Sequence, residues 1–172
     1  MERFFLIENQ NSDDPVREIR IEPAAESDAE SLAAVSRRAF EHDVNYGSPG
    51  ASGPPGYDSP TWQRQAMKKG RYYKILEGDR IVGGFIVFPL DGEKAEFGRV
   101  FIEPDCQNRG IGGRVLAFAE SAFPRVRHWA LDTPSWNLRT QYLYEKAGYV
   151  RVGEIDHAGR FTLIQYEKKL AE

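Results

Sequence analysis

The residues with the clearest chemical potential form a glycine-rich turn, which reads Gln107-Asn108-Arg109-Gly110-Ile111-Gly112-Gly113. An apolar segment precedes the turn and apolar residues at helical spacing follow it, so it is predicted to join a strand to the N-terminus of a helix. The first N–H groups of a helix lack intrahelical acceptors, and the helix dipole is positive at that end. Glycines let a phosphate approach the backbone, and Arg109 adds a permanent positive charge. The turn therefore predicts an anion-binding loop.

The common phosphate-binding motifs do not fit this loop. A P-loop requires Gly-Lys-Ser/Thr after its glycines, and the chain has Gly112-Gly113-Arg114 at that place. The spacing G-x-G-x-x-G of dinucleotide-binding folds is also broken. The single cysteine, Cys106, lies beside the loop. We interpret Cys106 as a small loop residue rather than a nucleophile, because the sequence places no histidine–carboxylate pair next to it.

Composition limits the kind of protein. The 172 residues suit one domain with a sizeable core, and 41% hydrophobic with 28% charged residues is typical of a soluble globular protein. No apolar run is long enough to span a membrane, and the N-terminus lacks a secretory signal, so we expect a cytoplasmic protein that binds no membrane. The net charge of −3 argues against nucleic-acid binding.

Hydrophobic periodicity and turn residues predict the elements that position the loop. Their order is strand, two helices, three strands, helix, strand, helix and two strands. The predicted ranges are 17–21, 27–40, 61–69, 71–77, 80–89, 94–103, 110–123, 128–132, 137–147, 149–155 and 160–168. We interpret residues 1–15 as a lead-in and residues 16–170 as a single domain. The strands before and after the third helix are predicted to be parallel, with a right-handed crossover.

The segment 41–60 is a long connection rich in glycine, proline and serine. A connection of this length in a compact domain is usually functional or mobile. It either closes a small-molecule pocket or shapes a groove for a peptide. The alternative interpretation is a flexible surface loop.

Two motifs together resemble the GNAT family of N-acetyltransferases. The first is Gln-x-x-Gly-x-Gly at 107–112, with Ile-x-Pro at 102–104 just upstream. The second is an asparagine, Asn137, followed by Leu-Tyr-Glu-Lys-x-Gly-Tyr at 143–149, where Tyr149 replaces the usual phenylalanine. The resemblance covers residues 17–168. It implies an α/β (α+β) fold with a mixed, mostly antiparallel central sheet, splayed strands and about four flanking helices.

The resemblance also implies a reaction and the residues that serve it. The chain would be an acyl-CoA-dependent N-acyltransferase that uses acetyl-CoA as co-substrate, needs no metal and works by direct attack. Tyr144 would protonate the leaving thiolate and Asn137 would bond the pantetheine arm. A backbone N–H of Ile102 or Phe101 would hold the acetyl oxygen. The residues implied to bind the pyrophosphate, mainly through main-chain N–H groups, are Gln107, Asn108, Arg109, Gly110, Ile111, Gly112 and Gly113.

Attack by an amine also requires a proton acceptor, because an aliphatic ammonium has a pKa near ~10. Glu96 is the first candidate, since strand alternation predicts that it shares a face with Gly98, Val100 and Ile102. The alternative is a solvent-facing glutamate near a hairpin. Asp132 is a weaker rival, and Glu103 is predicted to lie at the surface.

The acceptor is expected to be a primary amine of a small molecule. One alternative is a protein N-terminus or lysine. An alternative of another class is a non-catalytic acyl-CoA-binding sensor, which would not need Tyr144 or Glu96. For Tyr144 the competing interpretation is an aromatic packing residue. The resemblance further implies that the two C-terminal strands can form the contact of a homodimer.

Overall fold

The computed structural model describes residues 18–171, so the lead-in at 1–15 lies outside the described residues. The strands are β1 (Ile19–Pro23), β2 (Arg71–Glu77), β3 (Arg80–Pro89), β4 (Lys94–Ile102), β5 (His128–Pro134), β6 (Val150–His157) and β7 (Phe161–Lys169). The helices are α1 (Ala29–His42), α2 (Pro60–Lys69), α3 (Ile111–Ala122) and α4 (Leu138–Lys146). This order confirms the predicted one.

The strands form one seven-stranded sheet in the order β1-β2-β3-β4-β5-β7-β6. All neighbours are antiparallel except β4 and β5, which are parallel. That parallel pairing covers only 94–96 of β4 and 128–130 of β5, whereas β5 pairs with β7 along its whole length. Beyond Glu96 the two strands therefore separate and leave a gap in the sheet. The mixed, mostly antiparallel sheet with splayed strands and four helices confirms the predicted fold class.

Two apolar clusters cover the two faces of the sheet. On the face that carries α3 and α4, called the α3 face here, the buried cluster includes Trp129, Val115 and Phe97. The rings of Phe97 and Trp129 lie 5.1 Å apart at their centroids. On the other face, the α1 face, Leu32 and Phe101 belong to a second cluster that holds α1 and α2. The gap between β4 and β5 connects the two faces.

Strand β4 contains a bulge at Gly98. On β3, Val87 pairs with Phe97 and its neighbour Ile86 pairs with Arg99. Gly98 therefore has no partner on β3. A Cβ on Gly98 would lie 2.1 Å from the ring of Phe88, which explains why glycine occupies this position. An extra residue in one strand shifts the alternation of side chains by one.

The bulge reverses the predicted orientation of Glu96. Phe97 belongs to the cluster on the α3 face, and Val100 and Ile102 pack against the same cluster. Glu96 precedes Phe97 and therefore points to the α1 face, together with Phe101. The prediction that Glu96 shares a face with Val100 and Ile102 was wrong, because simple alternation does not allow for the bulge.

Candidate active site

The glycine-rich loop presents free N–H groups at the start of α3. Gly110 precedes the helix in the left-handed conformation with φ 77°, and Asn108 also has a positive φ of 60°. The first intrahelical bond runs from the N–H of Arg114 to the carbonyl of Gly110 at 3.3 Å. Helix geometry therefore leaves the N–H groups of Ile111, Gly112 and Gly113 without intrahelical acceptors. A Cβ on Gly110 or Gly113 would meet no heavy atom within 4 Å, so the space in front of both is open.

Two side chains of the loop serve the structure of the protein. Arg109 donates from Nη2 to Glu77 Oε1 at 3.0 Å, and the Glu77 side chain is 5% exposed. Gln107 donates from Nε2 to the carbonyl of Ile102 at 2.9 Å and accepts from Arg139 Nη1 at 2.7 Å. The charge of Arg109 is thus balanced by Glu77. The main-chain N–H groups and the helix dipole remain as the principal attraction for an anion.

The geometry distinguishes the two backbone donors named above. The N–H of Glu103 donates to the carbonyl of Val82 in β3 at 2.7 Å. Because hydrogen-bonding direction alternates along an antiparallel strand, the polar groups of Ile102 point away from β3, toward the gap. The bond from Gln107 to the Ile102 carbonyl agrees with this direction. The polar backbone groups of Phe101 point the opposite way, so its N–H takes part in the hydrogen bonding between β4 and β3.

Tyr144 lies on the inner side of α4 and is 8% exposed. Its ring is 6.1 Å from the ring of Tyr149 and 6.1 Å from that of Tyr166, measured between centroids. Burial, with a smaller contribution from the charge of Asp132, raises the pKa of Tyr144 above its usual value near 10. The hydroxyl is therefore protonated at neutral pH and is able to act as a proton donor.

Asn137 has a structural role at the N-terminus of α4. It is the N-cap residue, and its Oδ1 accepts a bond from the N–H of Thr140 at 3.2 Å. The residue is 4% exposed. An asparagine that caps a helix typically stabilises it by about 1 kcal/mol, which accounts for the residue at this place. One lone pair of its Oδ1 is engaged in the cap, so a bond to pantetheine would use the other lone pair or the amide nitrogen.

An acidic cavity opens on the sheet near the end of the β4–β5 pairing. Its volume is about 130 Å³, and its lining residues are Glu96, Ala130, Leu131, Asp132, Val152, Gln165, Tyr166 and Glu167. Burial raises the pKa of Glu96, and the charge of Asp132 raises it further. Burial also raises the pKa of Asp132. Glu167 Oε2 lies 2.9 Å from His128 Nε2, whereas no ion pair within 4.0 Å joins Glu96 or Asp132 to a basic side chain in the described residues.

The surroundings of Cys106 and Glu103 keep both residues out of the chemistry. Cys106 is 1% exposed, and burial together with Asp105 raises the pKa of its thiol to about 12, so no thiolate nucleophile forms at neutral pH. Glu103, predicted to lie at the surface, is 5% exposed and accepts bonds from Arg38 at 2.6 and 2.9 Å. That prediction was wrong because an arginine from α1 covers the end of β4.

Sequence reasoning missed the arginines around the gap. Arg139 was assigned no role, yet it connects Gln107 to Asp43, and Arg99 reaches the carbonyl of Pro55 at 3.1 Å. Both pairings join residues distant in sequence, and no local pattern signals them. Within residues 18–171, no group of three or more metal-ligating side chains is placed to hold a metal ion. None of the described helices is long and apolar enough to cross a membrane.

Comparison with known proteins agrees with this geometry. Residues 68–151 match the profile described as the GNAT acetyltransferase domain. A search of curated proteins found no match to the sequence. The ribosomal-protein-S18-alanine N-acetyltransferase from Escherichia coli superposes with a TM-score of 0.71 at 14% identity, over 90% of this chain and 95% of that one.

Two further solved structures show the same fold. The PaiA N-acetyltransferase from Thermoplasma acidophilum, in complex with coenzyme A, has a TM-score of 0.70 at 18% identity, over 88% of this chain and 98% of that one. A GNAT-family acetyltransferase from Streptococcus pneumoniae has a TM-score of 0.67 at 17% identity, over 90% of this chain and all of that one. The matched profile and the splayed sheet show that this chain contains a GNAT acetyltransferase domain.

Proposed function

We propose that the protein transfers an acetyl group from acetyl-CoA to a primary amine of a small molecule by direct attack. The observation that carries this proposal is the convergence of three kinds of group on the β4–β5 gap. Free N–H groups lie at the start of α3, Tyr144 lies on the α3 face, and Glu96 and Asp132 line a cavity beside the gap. Acyl transfer from coenzyme A to an amine needs an anion site for the cofactor, a proton donor for the thiolate and a proton acceptor for the amine. These three groups must lie around one space.

The anion-binding loop fits the diphosphate of coenzyme A. The open space in front of Gly110 and Gly113 admits phosphate oxygens, and the N–H groups of Ile111, Gly112 and Gly113 supply donors. When bound, acetyl-CoA supplies an activated thioester. The N–H of Ile102, which points toward the gap, would donate to the acetyl oxygen, and a donor fixed in place costs little reorganisation.

Glu96 and Asp132 would take the proton from the acceptor amine. An aliphatic ammonium has a pKa near ~10, so a carboxylate or a water chain must deprotonate it before attack at neutral pH. The raised pKa of each carboxyl brings it closer to that of the amine and makes it a better proton acceptor than an exposed carboxylate. The negative charge of the cavity also attracts the ammonium form.

Tyr144 would donate a proton to the departing thiolate. Its hydroxyl is protonated at neutral pH, and the described residues provide it with no hydrogen-bond acceptor. The ring of Tyr144 lies 6.1 Å from the ring of Tyr166, which also lines the acidic cavity, so the proposed donor would lie beside the proposed acceptors. A donor on one side of the gap and an acceptor on the other would keep the two proton transfers apart.

The packing of segment 41–60 favours a small acceptor over a peptide. A Cβ on Gly53 would lie 2.6 Å from Tyr57 and 2.8 Å from Phe40, and one on Gly56 would lie 2.2 Å from Trp62. The Tyr57 hydroxyl also donates to Glu41 at 3.2 Å. The segment therefore packs closely on α1 and α2 and contacts Arg99 of β4 through Pro55, so it would border the acceptor site on one side, which favours a small acceptor.

The substitution Tyr144→Phe tests the proposal. It should lower turnover by about 10²-fold or more, the usual contribution of a general acid, while calorimetry shows unchanged affinity for acetyl-CoA. Tyr142→Phe is the matched control, because Tyr142 lies on the same helix and is 67% exposed. It should behave as wild type. Equal turnover in wild-type and Tyr144→Phe protein would show that Tyr144 only packs, and failure of wild-type protein to bind acetyl-CoA would overturn the function itself.

A further inference from the structure

Arg99 is an arginine of β4 that lacks a carboxylate partner. Its Nη2 donates to the carbonyl of Pro55 at 3.1 Å, and its buried Nη1 has no hydrogen-bond partner among the described residues. No ion pair within 4.0 Å joins it to an acidic residue in the described part of the chain. Arg99 therefore places a positive charge, and N–H groups that lack acceptors, beside segment 41–60.

Seven other arginines of the fold differ from Arg99 in this respect. Each of the following pairs with an acidic side chain: Arg20, Arg38, Arg64, Arg80, Arg109, Arg139 and Arg151. A cation withdrawn from water without a counter-ion is costly, and proteins usually pair such a charge. The arginines Arg37, Arg71, Arg125, Arg127 and Arg160 also lack a counter-ion among the described residues, but they are exposed to water, whereas Arg99 is partly buried. A ligand anion can supply the counter-ion that partly buried Arg99 lacks.

Aromatic side chains hold the guanidinium of Arg99 in place. Its central carbon lies 3.9 Å from the centre of the Trp62 ring and 5.9 Å from that of Phe40. Stacking of this kind offsets part of the free energy lost when the guanidinium is removed from water. It also fixes the orientation of the planar set of N–H donors. Burial lowers the pKa of Arg99 to about 10, so the group remains a cation at neutral pH.

Arg99 lies close to the acidic cavity on the same face of the sheet. Glu96 pairs with Phe88 of β3, and Arg99 pairs with Ile86, so the bulge leaves them two β3 residues apart. Two strand residues correspond to roughly 7 Å. At this spacing of the two backbone positions, a ligand only a few bonds long can place a cation beside Glu96 and Asp132 and direct an anion toward the side chain of Arg99. Free amino acids carry such a pair of opposite charges within a few bonds of each other.

We propose that Arg99 binds the carboxylate of the acceptor, and that the acceptor is an amino acid or a similar small amino-carboxylate with its amine toward Glu96 and Asp132. This inference rests on the proposed function, because it names the class of amine that the acetyltransferase accepts. Arg99 would act in recognition and orientation, while the carboxylates of the cavity handle the proton.

The experiment compares free amino acids with their carboxamides as acceptors, with acetyl-CoA as donor and thiol release as readout. Each carboxamide keeps the amine and the side chain but removes the negative charge. Wild-type protein should favour the acids in kcat/KM. In Arg99→Met that preference should fall by about 10- to 100-fold, the range expected for a hydrogen-bonded charge pair. Comparing preferences between proteins cancels the different reactivities of the two amines.

Arg99→Lys is the second variant, and it keeps the charge without the planar fork, so it should retain part of the preference. Near-wild-type Tm and acetyl-CoA affinity in both variants show that the fold is intact. An acid preference that is equal in wild type and Arg99→Met, or absent from wild type, would overturn the role of Arg99 while leaving acetyl transfer in place.

A result without any thiol release counts against the proposed function, and binding then decides the role of Arg99. Coenzyme A-loaded protein is titrated with the same amino acids by calorimetry. Binding to wild type that weakens at least tenfold in Arg99→Met supports the carboxylate site. No binding, or equal binding to both proteins, overturns it.

Discussion

Arg139 of α4 and Asp43, just beyond the end of α1, form an ion pair with a distance of 3.0 Å between Nη2 and Oδ1. The same guanidinium donates to Gln107 and lies 3.4 Å from the centre of the Tyr46 ring. Arg139 therefore connects the anion-binding loop with the beginning of segment 41–60. Through it, the loop proposed to hold the cofactor contacts the segment proposed to border the acceptor.

Replacement of Arg139 by methionine should destabilise the protein and loosen both sides of the gap. Asp43 is 13% exposed in its side chain and would lose its partner, so the free energy of unfolding should fall by about 1–3 kcal/mol. KM should rise for acetyl-CoA and acceptor together. Urea denaturation and steady-state kinetics measure the two effects. Asp43→Asn keeps a hydrogen-bond acceptor and should be milder; a stability equal to wild type in Arg139→Met would show that the pair contributes nothing.

Gly112 and Gly113 should respond differently to alanine. At Gly113 a Cβ meets no atom within 4 Å, so Gly113→Ala should preserve or raise stability, since alanine favours helix by about 1 kcal/mol. The added methyl group enters the space assigned to the diphosphate and should weaken acetyl-CoA binding at least tenfold. At Gly112 a Cβ would lie 2.8 Å from Leu143, so Gly112→Ala should lower Tm. Unchanged affinity in Gly113→Ala would place the diphosphate elsewhere.

The acid limb of the pH–rate profile should report the carboxylates of the cavity. Because the pKa of Glu96 is raised, kcat/KM should fall as the pH drops through a value above ~4.3, the usual pKa of glutamate. Part of the rise comes from the charge of Asp132, so Asp132→Asn should move the acid limb to lower pH. An acid limb that does not move in Asp132→Asn and persists unchanged in Glu96→Gln would assign the proton acceptor to another group.

The same carboxylates should lower stability at neutral pH. A folded-state pKa above the unfolded value gives stability that is full below the unfolded pKa and is lost as the pH rises through the folded pKa. At a pH above the folded-state pKa values of Glu96 and Asp132, their ionisation therefore lowers the stability of the folded protein. Glu96→Gln should raise Tm at pH 7, and the gain should shrink toward pH 4. Thermal unfolding across this range measures it, and a gain that grows in acid would contradict the direction of the pKa shifts.

Tyr149 carries a buried hydroxyl without a hydrogen-bond partner in the described structure. Tyr149→Phe should therefore raise the free energy of unfolding, by about 1 kcal/mol, because it removes an unsatisfied polar group and keeps the ring. Tyr166→Phe is the matched control, since the Tyr166 hydroxyl donates to Glu145 at 2.8 Å and its loss should destabilise. Denaturant titration compares the two, and destabilisation by Tyr149→Phe would show that its hydroxyl is satisfied.

The order of elements and the position of the anion-binding loop were predictable because local signals specify them. Glycine, proline and alternating apolar residues mark the ends of strands and helices, and the loop lies in the sequence as a continuous motif. The segment 107–113 therefore occupies its predicted place between β4 and α3.

The orientation of Glu96 was not predictable in the same way. It depends on whether β3 and β4 keep a regular register, and at the bulge Gly98 packs against the ring of Phe88 on another strand. The burial of Glu103 under Arg38 and the unpaired state of Arg99 likewise depend on contacts between elements far apart in sequence. Periodicity contains no information about such contacts.

The most direct test of acetyl transfer is acceptor-dependent thiol release by the wild-type protein from acetyl-CoA, with the products analysed by mass spectrometry. The proposed acetyl transfer predicts thiol release only when both substrates are present, with one acetyl group added to the amine of an amino acid. Tight binding of acetyl-CoA without acceptor-dependent release across amino acids, amines and peptides would contradict it and would instead indicate a binding protein.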